Sequence, residues 1–340
     1  MENSILQTIQ TGLLEKRRNL MNWLRQTPEA TRSIQLGPEK EGAMLAQIDT
    51  IDSALAKVED KSIGQCEICC EDVEESLLKM DYTSCVCLSH FSDREKMQLE
   101  SELELVQVIQ KAFLPQQIPE IPGLDLAIFS RPAQIVSGDY FDFFKFHNGT
   151  HGFVVADAMG HGVSASLIMS ALQSSLRTII PESDSSIEVL KRVNRAFLHN
   201  IRFTTFVTVV LCQYDSHNRI LSFVNAGHNP PLVFHKHASV ISELYPTGAA
   251  IGLAESYDLS AGKISLQEGD VVLFYTDGVT DATNSSNEAF GAERLGDLIK
   301  QNALSDAQNL LRIIREALFE FVDGKPLEDD ITLLACKGTI

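Results

Sequence analysis

The hydrophobic period of this chain changes at Pro115, and that change restricts the possible folds more than any single motif does. Before it, apolar residues recur at helical spacing. After the proline-punctuated stretch LPQQIPEIPGLDLA they fall into short β-like runs at 126–129, 141–146, 153–156, 206–214, 220–224, 231–234, 271–275 and 331–335. Amphipathic helical segments interrupt these runs. One carries Val163, Leu167, Leu172, Leu176 and Ile179, and another extends from about Asp306 to Phe321. Strands with inserted helices, in place of strict strand-helix alternation, predict an α+β sandwich for this part of the chain.

A length of 340 residues admits a catalytic domain plus a smaller region, and 44% hydrophobic with 22% charged residues is the composition of a globular chain that buries a core. The net charge of -18 counts against broad contact with nucleic acid, whose affinity rests on Lys and Arg neutralising phosphates. The N-terminus lacks the pattern of a signal peptide, and no run reaches the ~18 apolar residues of a membrane span, so a cytoplasmic protein without membrane contact is expected. Five of the seven cysteines fall between Cys66 and Cys87, which suits a metal site in a reducing compartment better than a disulfide framework. Cys212 and Cys336 stand in apolar runs and read as small buried hydrophobes.

In the first part of the chain, Ile9, Leu13, Leu20 and Leu24 line one side of a predicted helix. Thr27-Pro28 and the stretch from Ser33 to Glu41 then form a loop. Met44, Ile48, Ile51, Leu55 and Val58 follow as the narrow seam of a second helix, and the two are expected to pair as a hairpin. Next, Cys66 and Cys69 make a C-x-x-C while Cys87 and His90 make a C-x-x-H, a ligand set suited to one structural tetrahedral Zn2+. Cys85 in place of His90 is the alternative fourth ligand, and a redox switch without zinc is the competing reading. On IDSALAKVEDKSIGQCEIC and the second knuckle, residues 43–104 resemble the DksA/TraR family, in which a helical hairpin leads into a four-cysteine zinc finger. The chain departs from that pattern in having His90 for the fourth cysteine, and Cys70 and Cys85 are additional. Some members of that family enter the secondary channel of RNA polymerase with an acidic hairpin tip. Here the tip TPEATRSIQLGPEKE mixes both signs, so RNA polymerase is not the favoured partner.

Residues 93–113 read as a further helix with an apolar face of Leu99, Leu103, Val106 and Phe113, widened by Val108 and Ile109, until Pro115 stops it. Such a face packs within its own chain or pairs two chains; its position between two domains favours a dimeric coiled-coil linker. The expected organisation is a helical hairpin with a zinc finger over 1–92, a helical linker over 93–115 and a catalytic domain over 116–340.

Acidic motifs recur at the ends of the β-like runs: Ser137-Gly-Asp139, Ala156-Asp157, Tyr275-Thr-Asp277-Gly278 and Glu328-Asp329-Asp330-Ile-Thr332. A single Asp-Gly turn means little, because both residues favour turns for local reasons. Repeated at apolar run ends, carboxylates without nearby thiol or imidazole select hard cations such as Mg2+ or Mn2+. Two such ions can acidify a water and direct it at phosphorus.

IVSGDYFDFF, VVADAMGHGVSASLIMSAL, TTFVTVVL, FVNAGHNPPLV, GAAIGL, VVLFYTDGVTDATN and EDDITLLAC, in this order, resemble the SpoIIE/RsbU branch of the metal-dependent PPM-type serine/threonine phosphatases over about 114–337. The resemblance implies an α-β-β-α sandwich with two Mn2+ or Mg2+ ions at one edge. Carried over by motif, Asp139 and Asp157 hold or bridge the metals, the Ala158 carbonyl adds a backbone ligand, and Asp277 with one acid of the Asp329-Asp330 pair completes the site. The alignment favours Asp329, with Asp330 as the alternative. Asp142 and Asp281 either support these ligands or cap turns, and His161 and His228 read as loop-fixing residues. The resemblance further implies a phosphorylated STAS-type regulator as substrate. The competing class is a transcription-machinery binding protein whose phosphatase-like domain only docks.

Overall fold

The computed structural model describes residues 10, 13, 14, 17, 18, 21, 48, 49, 51–58, 62–73, 86–90, 92–160, 162–200, 206–253 and 258–340. The chain divides into two compact units, Met1–Glu102 and Leu103–Ile340. Helix α1 (Asp93–Phe113) carries the boundary between them.

In the first unit the described residues at 10–21 and 48–58 are helical. Leu13 is buried in one cluster with Ile48, Ile51, Ala54, Val58 and Ile63, and Arg17 pairs with Asp52. Ile9, Leu20, Leu24, Met44 and the expected loop lie outside the described residues. From Gln65 to Asp72 the chain folds back on itself, with Cys70 in the left-handed region at φ 59° and its N–H on the Cys66 carbonyl at 2.8 Å.

The second unit is built on two antiparallel sheets. The first has the order β1-β10-β9-β6-β7, formed by β1 (Leu124–Arg131), β6 (Leu232–His235), β7 (Val240–Glu243), β9 (Val271–Tyr275) and β10 (Ile331–Gly338). The second has the order β2-β3-β4-β5-β8, formed by β2 (Asp139–Lys145), β3 (His151–Ala158), β4 (Val207–Asp215), β5 (Ile220–Ala226) and β8 (Gly262–Ser265). The period-2 pattern of β3 explains the layering. Phe153 and Val155 point between the sheets with Val210, Phe274 and Leu334, while Val154 and Ala156 point to the outer face. Across the sandwich, the Phe153 and Phe274 rings meet edge to face with centroids 5.5 Å apart.

Helices α2 (Gly162–Ile179) and α3 (Ser186–Asn200) cover the outer face of the second sheet, burying Leu172, Leu176, Leu190 and Val193. Helices α5 (Gly291–Asn302) and α6 (Ala307–Val322) cover the first sheet, burying Leu295, Leu310, Ile314 and Leu318. The short helix α4 (Asp277–Thr280) lies between β9 and α5. Helix α6 starts where the sequence predicts, because the Asp306 side chain accepts the Asn309 N–H as an N-cap. Truncating one of these buried leucines to alanine costs about 2–5 kcal/mol. The four layers are the expected α-β-β-α arrangement. Among the described residues, Gly162–Glu182 is long and apolar enough by length and composition to cross a membrane. Its apolar side packs on the sheet through Ala165, Met169, Leu172 and Leu176, so the apolar length belongs to a core helix.

Candidate active site

The acidic motifs converge at one end of the sandwich. Asp139 begins β2 and stands opposite Asp157 near the end of β3 in the antiparallel register. Asp277 opens α4 directly after β9, and Asp329-Asp330 precede β10, the partner of β9. Each acid sits where a strand ends, so the pairing of strands brings together residues distant in sequence.

The surroundings of each acid differ. Asp139 is buried; its Oδ2 accepts the Thr276 hydroxyl at 2.8 Å, and its N–H donates to Ser137 Oγ at 3.1 Å. Thr276 Oγ1 also accepts the Thr332 N–H at 2.9 Å, so one hydroxyl joins β9, β10 and the start of β2. Burial, opposed by hydrogen bonds from Thr332 and Thr276 and reinforced by Asp330 and Asp329, holds the Asp139 carboxyl well above the usual carboxylate range. Burial, followed by repulsion from Asp139, Asp277 and Asp329, pushes the Asp157 carboxyl up to about 9. Asp277 is raised by burial and by Asp329 and Asp281. Like charges are thus crowded at one strand-end edge, a state that a bound cation relieves.

Asp329 and Asp330 part company. Asp330 is buried, with Oδ1 accepting the Ala133 N–H at 2.7 Å and Oδ2 the Gly138 N–H at 2.6 Å, so its carboxylate anchors the segment leading into β2. Asp329 is exposed and accepts the Asp330 N–H at 2.8 Å. The backbone of this pair presses against Gly278, where an added Cβ would lie 2.1 Å from the Asp330 carbonyl oxygen; that close approach is why a glycine follows Asp277. Ala158 is buried, and its N–H donates to the Gly138 carbonyl at 3.2 Å. An adjoining cavity of about 320 Å³ is lined by Asp281, Thr283, Val322, Leu327, Glu328 and Asp329.

Asp142 does not join the acids. It accepts the Tyr140 hydroxyl at 2.6 Å and Arg177 Nε at 2.7 Å, fastening α2 to β2. Asp281 is exposed, donates its N–H to the Asp277 carbonyl at 2.8 Å and accepts the Thr280 hydroxyl at 3.2 Å, as a turn cap does. His228 is buried, with Nδ1 2.8 Å from Thr208 Oγ1 and its N–H on Asn225 Oδ1 at 2.8 Å, which fits the loop-fixing reading. His161 lies outside the described residues. Thr276 was not singled out from the sequence; its place directly before Asp277 is the signal that could have found it.

In the first unit the ligand atoms of Cys66, Cys69, Cys87 and His90 lie within 4.8 Å of one another, whereas no three of the described aspartates are drawn that close. The Cys69 and Cys87 sulfurs are 3.6 Å apart, and the short 3-10 turn Leu88–His90 brings His90 back to Cys87. Burial opposes ionisation of Cys66, but backbone N–H groups of Cys69, Cys87 and Ile68 outweigh it and bring the thiol down to about 6. Cys85 lies outside the described residues. Cys212 and Cys336 are buried between the sheets, as expected of small hydrophobes.

An α-β-β-α sandwich with carboxylates gathered at one strand-end edge defines the class of metal-dependent, PP2C-type phosphoprotein phosphatases. Residues 147–338 match the family model of Stage II sporulation protein E (SpoIIE), and the chain belongs to this family of PP2C-type serine phosphatases. It is 27% identical over 245 residues to the phosphoserine phosphatase RsbU of Bacillus subtilis, covering 72% of each chain. It is also 27% identical over 239 residues to the phosphoserine phosphatase RsbP of the same organism, covering 69% of this chain and 57% of RsbP. Among solved structures, the SiaA-PP2C domain of Pseudomonas aeruginosa shares the fold, with a TM-score of 0.63 at 22% identity over 71% of this chain and 97% of that one. The RsbU and RsbW domains of Rv1364c from Mycobacterium tuberculosis align with a TM-score of 0.57 at 28% identity, covering 67% of this chain and 63% of that one.

Proposed function

We propose that the second unit hydrolyses phosphoserine or phosphothreonine on a protein regulator, with Asp139, Asp157, Asp277 and Asp329 holding two Mn2+ or Mg2+ ions and the Ala158 carbonyl as a backbone ligand. The observation that carries this reading is the crowding around Asp157, which faces Asp139 across β2 and β3 and whose carboxyl burial and four neighbouring acids push up to about 9. An oxygen-only donor set suits hard divalent cations, which supply charge neutralisation of the phosphoryl group and acidification of the attacking water. Asp139 and Asp157, facing each other across β2 and β3, are the natural pair to span two ions. Asp330 serves better as the anchor of the entry to β2 than as a ligand, because both of its oxygens accept backbone N–H groups there. The reaction is direct in-line attack by water on phosphorus, with no covalent enzyme intermediate.

RsbU and RsbP carry the name phosphoserine phosphatase, which supports a phosphoserine substrate here; the motif resemblance to the SpoIIE/RsbU branch extends the proposal to a phosphorylated STAS-type regulator, met in the cytoplasm. The Cys66, Cys69, Cys87 and His90 cluster holds one structural Zn2+ that helps fold a hairpin and zinc finger over 1–92. Helix α1 pairs two copies through Leu105, Val108 and Ile109, which are exposed along it. Light scattering is expected to give a dimer that Leu105→Lys with Val108→Lys converts to a monomer. The central experiment is hydrolysis of a generic aryl phosphate and of phosphorylated STAS proteins with and without Mn2+. Turnover that requires Mn2+ and disappears in Asp157→Asn and Asp277→Asn supports the reading; Mn2+ binding without turnover on any phosphoprotein overturns it.

A further inference from the structure

Helix α1 ends against the strand that opens the acidic edge. Gln110 lies in its last turn, and its side-chain amide holds both backbone polar groups of one residue: Nε2 donates to the Ser137 carbonyl at 2.7 Å, and Oε1 accepts the Ser137 N–H at 3.0 Å. Ser137 precedes β2, whose pairing with β3 begins only at Asp139. Its backbone therefore has no ladder partner, and Gln110 takes the place that a neighbouring strand would fill. The Ser137 side chain passes the constraint on, because its Oγ accepts the Asp139 N–H at 3.1 Å. From the other side, Asp330 fixes Ala133 and Gly138. The end of α1 is itself secured, with the Phe113 carbonyl accepting Gln173 Nε2 at 2.5 Å and Arg177 Nη2 at 3.2 Å.

We propose that Gln110 is a positioning residue for the Asp139 carboxylate, so that the last turns of α1 form part of the metal-holding apparatus. A surface glutamine touching a loop would ordinarily carry little weight. Here the amide is matched to the backbone N–H and C=O of a buried residue, Ser137, two positions from the acid. Losing it leaves the Ser137 N–H and carbonyl without these partners and loosens the segment that sets where Asp139 begins, with only the Asp330 contacts still holding it. The inference rests on the reading of Asp139 as a metal ligand, and it adds to that reading a residue from a helix that the acidic motifs do not include.

The test uses the full chain and Mn2+ alone as probe, with affinity measured by calorimetry and by the Mn2+ concentration that half-saturates aryl phosphate hydrolysis. Gln110→Met, which keeps length and helix propensity but removes both hydrogen bonds, is expected to weaken Mn2+ about 10- to 100-fold, the range for groups that orient ligands. The value of kcat at saturating Mn2+ should fall far less. Gln107→Ala, which removes a 2.9 Å bond to the more distant Ile135 carbonyl, is the control and should leave Mn2+ affinity near wild type. Ser137→Ala provides a second route: if Gln110 acts through Ser137, the double variant loses less affinity than the two single losses combined. Wild-type Mn2+ affinity in Gln110→Met, with binding abolished in Asp139→Asn, overturns this proposal alone. Unchanged affinity in Asp139→Asn overturns the metal reading along with it.

Discussion

Thr276 donates its hydroxyl to the Asp139 carboxylate at 2.8 Å, so a residue at the end of β9 in one sheet holds an acid at the start of β2 in the other. The same oxygen accepts the Thr332 N–H, and all three groups are buried. Thr276→Val keeps the shape and removes the hydroxyl. It is expected to lower stability by about 1–3 kcal/mol, because a buried N–H and a buried carboxylate each lose a partner. Mn2+ affinity should fall about 10- to 100-fold. Urea unfolding and Mn2+ titration measure the two effects, and an unchanged Mn2+ affinity would make the contact purely structural.

Asp157→Asn separates the cost of crowding from its use. With its carboxyl pushed up to about 9, Asp157 must bind a proton to fold at pH 8, a cost asparagine does not carry, so the metal-free variant should melt higher than wild type. Adding Mn2+ should raise the wild-type midpoint and leave the variant's nearly unmoved. Mn2+-dependent hydrolysis should drop by at least about a hundredfold, the upper end of the effect of groups that merely orient ligands. Equal Mn2+ stabilisation of both proteins would remove Asp157 from the site.

His228 predicts an acid limb of stability. Burial lowers its imidazole from 6.5 to about 4, and its Nε2 lies toward the Tyr275 backbone without an ordinary hydrogen bond. Because the folded value is depressed, the unfolded chain binds the proton first. This contribution is complete above about pH 6.5 and is lost as pH falls toward 4, at up to about 1.4 kcal/mol per pH unit. Urea midpoints from pH 7 to 4.5 should fall more steeply for wild type than for His228→Gln. Parallel profiles would mean that His228 is accommodated charged.

The thiol cluster makes a separate prediction. Protein purified under reducing conditions should contain one zinc per chain, and His90→Ala or Cys69→Ser should lose it. The melting of the phosphatase unit should change little, since among the described residues its core clusters are formed from residues beyond 113. Full activity of thiols toward a maleimide probe in metal-replete wild type would favour free cysteines.

The β-like runs were legible because alternation is local. Phe153 and Val155 against Val154 and Ala156 already state which face is which. The strands that went unread, β7 and β8, are four-residue edge segments with mostly exposed side chains, where pairing to a neighbour substitutes for a hydrophobic signal. Asp142 illustrates the limit for site residues. It stands three positions after Asp139 in the same motif, yet it pairs with Tyr140 of its own strand and with Arg177 of the helix layer.

By itself, the sequence determined the layered class of the second unit and the strand-end setting of Asp139, Asp157, Asp277 and the Asp329-Asp330 pair, because hydrophobic period and turn chemistry are written within a few residues. Only the tertiary structure decided that Asp330 turns inward to the backbone of Ala133 and Gly138, that Thr276 spans the two sheets, and that Gln110 clasps Ser137. Those roles rest on hydrogen bonds between groups from 27 to 197 residues apart, and the burial that makes such bonds matter exists only once the sheets and helices have packed.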